Sequence, residues 1–268
     1  MLTAVTRKVS PAMNRCELSY LDRVEIRIAE AAEQHRQYEE CLRALGAAVI
    51  SLPAEPELPD SVFVEDPAVV VDEVAILTRP GAESRRREGD SLAKTLERFR
   101  PLQWMQAPAT LEGGDVMRVE KTLYVGASAR TNTAGIAQLA EALKPYGYQV
   151  KPVEVRGCLH LKSGCCYLGN GIVLANREWV DTEALAGLRI VDIAASEPWA
   201  ANILAVGAVA LMPAGFPATA EIVERLGWKV QTTDISELRK AEAGVTCSSL
   251  VFASEAAEPG LGSSPRTV

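Results

Sequence analysis

The sequence is short of several residue types and patterns, and each shortage narrows what the protein can be. Only two of its 268 residues are histidine, which leaves few candidates for a histidine acid or base. No uninterrupted apolar run approaches the about 18 residues of a membrane span. Basic residues number 28 against 35 acidic ones, a formal charge of −7. Because phosphate binding needs a basic face, neither nucleic acid nor a membrane is expected as a partner.

The cysteines also lack the patterns that would make them structural. The six are Cys16, Cys41, Cys158, Cys165, Cys166 and Cys247. Their spacing suggests no disulfide framework, and no pair of C-x-x-C knuckles offers a zinc site. The first residues contain no apolar segment typical of a secretory signal. We therefore expect reduced thiols, a cytoplasmic location, no metal and no organic cofactor.

What the sequence does contain is a degenerate repeat. Five segments carry two strand-like runs around a short break, or half of that pattern, and their starts recur every 35 to 50 residues or so. The segments are Asp66–Gly81, Glu112–Ser128, Ser163–Asn176, Ala200–Gly215 and Thr246–Ser254. Helix-like stretches lie between them, at Glu25–Leu45, Ser84–Phe99, Thr131–Leu143, Asp181–Leu188 and Ala218–Leu226. Further short β runs are expected at Ala47–Leu52, Tyr148–Val155, Leu188–Ile193 and Trp228–Thr232.

These elements predict one strand–hairpin–helix unit repeated about five times. The fifth hairpin is short, and an early run at Leu2–Val9 could supply its missing strand. Such pairing would seal the units into a ring with no free sheet edge. The alternative is an ordinary open α/β sheet with coincidental spacing. We expect residues 1–254 to form a single domain and the Pro/Gly/Ser-rich residues 255–268 to be a disordered tail.

Few side chains could carry chemistry. His35 lies in a polar helical stretch, where a solvated or satisfied histidine is the simpler interpretation, whereas His160 lies between an extended run and the third hairpin. Cys247 follows Gly244 in a loop at the start of an apolar strand run. A single cysteine with a distant histidine is a candidate nucleophile pair, although a buried structural thiol is the common alternative.

Carboxylates sharpen this picture because they recur at one position of the repeat. Glu65 and Asp66 open the first hairpin and Glu112 opens the second, where Gly113 and Gly114 allow close backbone approach. His160 and Cys247 occupy similar places in their units. If the units surround an axis, these side chains converge at one end of it. The alternative is that they are ordinary polar residues at strand ends.

In this order and at these separations, the motifs FVEDP, LEGGD, LHLKSG and GVTCSSL resemble the dimethylarginine dimethylaminohydrolase family of the guanidine-modifying, or pentein, superfamily. CELSYLDR, QHRQYEE and RPGAESRR reinforce a resemblance that covers about Arg7 to Ser254. It implies an α/β fold, a five-bladed α/β propeller with pseudo-five-fold ββαβ repeats. Three positions depart from the family pattern. In RVEIRI, Glu25 replaces a proline and Arg27 replaces an acid at a helix start, and Ala243 replaces a glycine near the nucleophile.

The resemblance also implies a reaction and a role for each candidate residue. Methylated arginine would be hydrolysed to citrulline and an amine through a covalent adduct on Cys247, with His160 as acid and base and Glu112 orienting it. Contacts with this guanidino amino acid are implied for Glu65, Asp66, Asp60, Phe63, Arg85, Arg130 and Leu18. Among these, Arg85 and Arg130 would hold the carboxylate, and Leu18 would lie on a loop covering the site.

Other functions remain open from the sequence. An arginine deiminase or another guanidine or citrulline hydrolase would use the same machinery. A propeller that binds ribosomes without catalysis would not need the cysteine, histidine and glutamate set. A third possibility is a degenerate binding protein that retains these residues without their geometry. A homodimer is possible, but the sequence does not decide the oligomeric state.

Overall fold

A computed structural model of the chain describes residues 1–254 and contains both strands and helices. The predicted tail, residues 255–268, lies outside the described residues. The strands are β1 (Leu2–Arg7), β2 (Ala47–Leu52), β3 (Ala68–Val70), β4 (Ala75–Leu77), β5 (Leu102–Trp104), β6 (Val116–Val119), β7 (Thr122–Ala127), β8 (Gln149–Glu154), β9 (Cys165–Gly169), β10 (Ile172–Ala175), β11 (Arg189–Asp192), β12 (Leu204–Val206), β13 (Val209–Pro213), β14 (Lys229–Thr233) and β15 (Leu250–Ala253).

The helices are mostly short. The α-helices are α1 (Ile28–Ala44), α2 (Glu88–Leu96), α3 (Thr133–Leu143), α4 (Leu161–Gly164), α5 (Pro217–Arg225) and α6 (Ser236–Arg239). Single turns of 3-10 helix occur at Met13–Arg15, Glu83–Arg85, Gly113–Asp115, Lys144–Tyr146, Thr182–Leu185 and Thr246–Ser248. Within residues 1–254, no helix combines the length and the apolar character needed to cross a membrane.

The strands form five separate three-stranded sheets of the same construction. In each sheet an antiparallel hairpin is followed by a third strand that runs parallel to the second strand. An α-helix connects the second strand to the third in four of the sheets, and a 3-10 turn does so between β10 and β11. The predicted ββαβ order is therefore present in four sheets, and the sheet of β9, β10 and β11 has the 3-10 turn in place of the α-helix.

The fifth sheet joins distant parts of the chain. Strand β15 pairs antiparallel with β1, with Leu2 opposite Ala253 and Val5 opposite Leu250. Strand β2 then pairs parallel with β1. The prediction that an early strand completes the short fifth hairpin is therefore confirmed.

Three details differ from the prediction. Strand β5 was not expected, because its three residues are only partly covered and Trp104 is 46% exposed, which leaves no apolar alternation to detect. The helix expected at Asp181–Leu188 is one 3-10 turn, with the Asp181 carboxylate capping the backbone N–H of Glu183. The helix expected at Ser84–Phe99 is divided into a 3-10 turn and α2.

Apolar side chains pack where the helices meet the sheets. In one cluster, Leu92 and Leu96 of α2 contact Leu77 of β4, and all three are fully buried. Phe252 of β15 belongs to the same cluster and so ties the fifth sheet to the first. Burying each leucine side chain contributes roughly 2 kcal/mol to stability. Packing of this kind holds in place the first strand of a sheet and the residues just before it. The candidate site residues lie at these strand starts.

Candidate active site

Five of the predicted site residues lie just before the first strand of a sheet. Glu65 and Asp66 precede β3, Glu112 precedes β6, His160 precedes β9 and Cys247 precedes β15. Ligand atoms of Asp66, Glu112 and His160 lie within 4.8 Å of one another, although these residues are far apart in sequence. The structure therefore brings residues from three different repeats to one point, as the repeat position predicted.

His160 and Glu112 form a buried ion pair at the centre of this group. The Nε2 atom of His160 is 2.7 Å from Oε2 of Glu112, and both side chains are almost fully buried. Burial alone lowers the pKa of His160, but the charges of Asp66 and Asp115 and the hydrogen bond to Glu112 outweigh it and raise that pKa to about 9. The imidazole is therefore held as a cation at neutral pH.

Two glycines are required for this approach. A Cβ on Gly113 would lie 2.0 Å from the carbonyl oxygen of Glu65, and a Cβ on Gly114 would lie 2.5 Å from Nδ1 of His160. The backbone N–H of Gly114 also donates to Oδ1 of Asp66 at 3.1 Å. Gly114 of the LEGGD motif thus donates its backbone N–H to Asp66 at a point where a larger residue would displace the imidazole of His160.

Arg85 is buried among the carboxylates. Its Nη1 donates to Oδ2 of Asp66 at 2.9 Å, and its Nε and Nη2 donate to the two oxygens of Glu88. Three of its five N–H groups are thus engaged by carboxylates. Burial acts to lower the pKa of Arg85, but Glu88, Asp66 and Glu112 hold it well above its ordinary value. The guanidinium neutralises part of the negative charge gathered at the site.

Glu65 and Lys162 form a second buried pair beside the first. The Nζ of Lys162 contacts Oε1 of Glu65, and the hydroxyl of Thr246 donates to Oε2 at 2.8 Å. Burial raises the pKa of Glu65 even though Lys162 opposes that shift. Thr246 precedes Cys247, so this pair lies directly beside the candidate nucleophile.

Cys247 is half-buried in the 3-10 turn that precedes β15. The backbone N–H of Gly244 points to its Sγ at 3.4 Å, and its carbonyl oxygen accepts from the N–H of Glu65 at 3.2 Å. Burial, followed by the charges of Glu65 and Asp66, raises the pKa of the thiol to about 12. The unliganded protein therefore holds Cys247 as a thiol, and a cation bound among the carboxylates would favour the thiolate.

The remaining predicted residues surround this centre. Arg130 contacts Oε1 of Glu112 at 3.4 Å and the hydroxyl of Ser19 at 3.2 Å. Asp60 is buried and accepts from the backbone N–H of Glu17. Phe63 lies inside an apolar cluster, and Leu18 and Cys247 pack against the same cluster. Their roles in binding stay predictions.

The loop that carries Leu18 is fastened to the segment before Cys247. Three successive backbone N–H groups, of Ser19, Tyr20 and Leu21, donate to Oε1 of Glu242 at 2.5 to 2.9 Å. Glu242 itself has a positive φ of 60°, which is uncommon for a residue other than glycine. A cavity of about 370 Å³ opens beside this junction, lined in part by Ala243 and Gly244.

Sequence reasoning missed several members of the site. Asp115, the last residue of LEGGD, accepts hydrogen bonds from Ser128, Thr131 and the backbone of Leu161, next to His160. It could have been found, because it belongs to a motif that was already singled out. The same holds for Lys162, which belongs to LHLKSG, whereas Glu88, Asn202 and Glu242 carry no local signal that separates them from ordinary polar residues.

The other histidine and two of the other cysteines lie elsewhere. His35 is buried on α1, with its Nε2 3.5 Å from Oε1 of Glu39, so of the two expected alternatives, solvated or satisfied, the solvated one is wrong. Cys165 and Cys166 lie in β9 and are buried. Burial raises the pKa of both thiols, which makes them poor nucleophiles.

Asp66, Glu112 and His160 are also the group that could hold a metal ion among the described residues. Their ligand atoms are already engaged by protein donors, since Arg85 and Gly114 bond to Asp66 and the imidazole bonds to Glu112. A metal ion would have to displace these donors, whereas each carboxylate keeps lone pairs that can accept further N–H groups. The arrangement is better suited to accept the planar N–H groups of a guanidinium ligand.

Comparison with known proteins gives a consistent result. Residues 6–183 match the family model described as N,N dimethylarginine dimethylhydrolase, eukaryotic. The chain is 42% identical over 226 residues to the N(G),N(G)-dimethylarginine dimethylaminohydrolase of Pseudomonas aeruginosa, a match covering 84% of this chain and 89% of that protein. The corresponding protein of Streptomyces coelicolor is 38% identical, with 92% of this chain and 95% of that protein covered.

A solved structure is similar over nearly the whole chain. It is that of the Pseudomonas aeruginosa enzyme, a cysteine-to-serine mutant in complex with citrulline, with a TM-score of 0.88 and 36% sequence identity. The match covers 94% of this chain and 100% of that one. The arrangement of five small sheets described above is therefore the fold of this group of proteins.

Proposed function

Since this chain belongs to the dimethylarginine dimethylaminohydrolase family and is a hydrolase of guanidino carbon–nitrogen bonds, we propose that it converts Nω-methylated arginines to citrulline. The proposed substrates are asymmetric dimethylarginine and monomethylarginine, and the amine products are dimethylamine and methylamine. The observation that carries the proposal is the buried pairing of His160 with Glu112 beside Asp66, whose neighbour Glu65 donates its backbone N–H to the carbonyl oxygen of Cys247. No cofactor enters the proposed reaction.

Binding comes first. A guanidinium is a planar, permanently charged cation, so it needs carboxylates placed to accept its N–H groups. We assign this role to Asp66 and Glu65, with Asp60 as a further contact. Arg85 and Arg130 are assigned to the substrate carboxylate, which leaves Phe63 and Leu18 for the aliphatic chain. Support for Arg130 comes from its position between Glu112 and the loop residue Ser19.

The thiolate of Cys247 then attacks the guanidinium carbon and forms a carbon–sulfur bond. The bond to the methylated nitrogen breaks, the electron pair stays on that nitrogen, and His160 supplies its proton. We assign the donation to Nδ1, because Nε2 is taken up by Glu112. Dimethylamine departs and an S-alkylthiouronium cation remains on Cys247.

Hydrolysis completes the cycle. Neutral His160 removes a proton from water, whose oxygen bonds to the same carbon. The carbon–sulfur bond breaks, and the thiolate leaves as citrulline forms. The remaining proton is taken up by the released amine, which is a strong base. His160 therefore acts first as an acid and then as a base, and Glu112 stabilises its cationic form at both stages.

We also infer how the five sheets are arranged around this site. The five sheets would stand as blades of a five-bladed α/β propeller within one domain of residues 1–254. Support comes from a cavity of about 550 Å³ lined by residues of the first strand of all five sheets.

The reduced state of all six cysteines supports a cytoplasmic location. A homodimer stays a prediction.

The test measures release of citrulline from asymmetric dimethylarginine, monomethylarginine and arginine, and of the corresponding ureido product, N-carbamoylputrescine, from agmatine, with Cys247→Ser as the control. We expect turnover of the two methylated arginines and none with the variant. Mass spectrometry of a quenched reaction should show the thiouronium adduct on the peptide that contains Cys247. Turnover of arginine or agmatine alone would support the deiminase-like alternative. No turnover of any of the four by folded, reduced protein would refute the proposal.

A further inference from the structure

The fourth repeat supplied no candidate for the site from sequence, but the structure places one of its side chains next to the nucleophile. Asn202 lies two residues before β12, the same position that Asp66 occupies before β3. It is 5% exposed. We propose that Asn202 is a positioning residue, which fixes the turn carrying Cys247 against the floor of the active site.

The carboxamide of Asn202 connects three repeats. Its Nδ2 donates to the carbonyl oxygen of Lys162 at 2.8 Å and to Oγ1 of Thr246 at 3.0 Å. Its Oδ1 accepts from the backbone N–H of Thr246 at 3.1 Å. Both N–H groups and the carbonyl oxygen are therefore used. No other residue type presents two donors and one acceptor on so short a side chain.

These bonds belong to a closed network around the nucleophile. The hydroxyl of Thr246 donates onward to Glu65, and Glu65 also pairs with Lys162. The backbone N–H of Glu65 donates to the carbonyl oxygen of Cys247. Asn202 bonds to the backbones of Lys162 and Thr246 and also to the hydroxyl of Thr246. Glu65 bonds to the side chains of the same two residues. The turn is thereby fixed from two sides.

Close packing supports the same conclusion. A Cβ on Gly244 would lie 2.2 Å from Cγ of Asn202, so the chain passes directly over the carboxamide. Gly244 is also the residue whose N–H points to the sulfur of Cys247. A glycine is needed here because the side chain of Asn202 occupies the space. The GVTC segment of the sequence is thus adapted to a residue about 40 positions earlier.

Position matters for this kind of chemistry. A nucleophile displaced by about 1 Å can lose roughly 100-fold in rate, because attack requires a defined distance and direction. Asn202 makes no hydrogen bond to the sulfur or to Glu65 itself, so its removal should misplace Cys247 more than the groups proposed to bind substrate. The inference rests on the proposed function for its catalytic consequence, but its structural part can be tested without any substrate.

The test compares Asn202→Ala and Asn202→Asp with the control Asn176→Ala. Asn176 is 7% exposed, donates to the carbonyl oxygen of Pro198 and accepts from the N–H of Glu178, so its loss is a similar structural change. For both Asn202 variants we expect kcat to fall about 10- to 100-fold while KM changes by less than about threefold. The control should keep its kcat. Aspartate retains only the acceptor, so it should not rescue alanine.

A second measurement needs no turnover. The rate at which iodoacetamide modifies Cys247 at pH 8 reports its exposure and its thiolate fraction. Glu65 and Asp66 suppress the thiolate and Lys162 favours it. Loosening the turn should admit water and raise this rate about threefold or more in the Asn202 variants, but not in Asn176→Ala. A thiol that reacts faster with the reagent and catalyses more slowly is the signature of lost positioning.

The outcomes separate the two proposals. If the wild-type protein hydrolyses none of the guanidines, the proposed function is wrong, and the modification rates still decide the role of Asn202. If Asn202→Ala and Asn176→Ala behave alike in kcat and in modification rate, the positioning role is refuted. Should Asn202→Ala fail to fold, Asn202→Asp is judged by the same two measurements.

Discussion

Replacing Glu112 by glutamine is the sharpest test of how the site is organised. The substitution keeps the shape of the side chain and removes the charge that faces His160. In the folded protein the pKa of His160 is about 9, whereas an unfolded histidine has about 6.5. A difference of this size corresponds to roughly 3 kcal/mol of stability. The lowered pKa of Glu112, about 2, describes the same pair, so the two contributions are not added.

The pH range of the effect follows from the direction of the shift. A histidine whose pKa is raised on folding stabilises the protein fully below the unfolded value, near pH 6.5. That contribution is lost as the pH rises through the folded value, near 9. The change to glutamine should therefore cost about 1 to 3 kcal/mol at pH 6, because Asp66 and Asp115 still act on the imidazole. The deficit should shrink markedly by pH 10.

The assay is urea unfolding of wild type and Glu112→Gln at several values between pH 6 and pH 10. Glu197→Gln is a matched control, because Glu197 is similarly buried but accepts from the backbone N–H groups of Ala218 and Thr219. Its deficit should not vary over this range. Since the chain has two histidines, NMR can also follow the imidazole of His160 directly. Equal deficits at pH 6 and pH 10, or an unchanged imidazole pKa in Glu112→Gln, would refute the reasoning.

Three further predictions concern the surroundings of this pair. Gly114→Ala should lower kcat about 100-fold, because its Cβ would displace the imidazole of His160; an unchanged kcat would contradict this. Modification of unliganded Cys247 by iodoacetamide should keep accelerating towards pH 12, and a plateau near pH 8 would disagree with the raised thiol pKa. Glu242→Ala should release the loop around Leu18, which we expect to raise KM about tenfold and to speed proteolysis of residues 17–25. A loop as resistant to proteolysis as in the wild-type protein would contradict this role of Glu242.

Much of the fold was predictable because it repeats. Five apolar hairpins at similar spacing indicated the unit, and the early strand was expected to complete the fifth sheet. Strand β5 escaped detection since three half-covered residues carry no periodic signal. Similarly, the boundaries of α2 depend on how Arg85 and Glu88 pair in the interior, which no local pattern records.

The candidate site was predictable only where its residues belong to motifs. Glu112, His160 and Cys247 could be found because each opens a repeat. Asn202 also opens a repeat, but an asparagine before a strand is common and its role depends on Thr246, which is 44 residues away. The partners of a buried polar side chain are set by three-dimensional packing. The sequence can indicate that such a residue is a candidate, but it does not reveal which residues form hydrogen bonds with it.

The pairing of β1 with β15 has a consequence for how the protein is made. The ribosome produces β1 first, yet its antiparallel partner follows only after more than 240 further residues. Until then one side of β1 has no neighbour, and long-range pairing of this kind is slow to form. Cys247 immediately precedes β15, so the proposed nucleophile reaches its place in the same step that completes the fifth sheet. A chain that stops before β15 would therefore have neither a finished fifth sheet nor the proposed nucleophile in place, which ties the acquisition of activity to the pairing of β1 with β15.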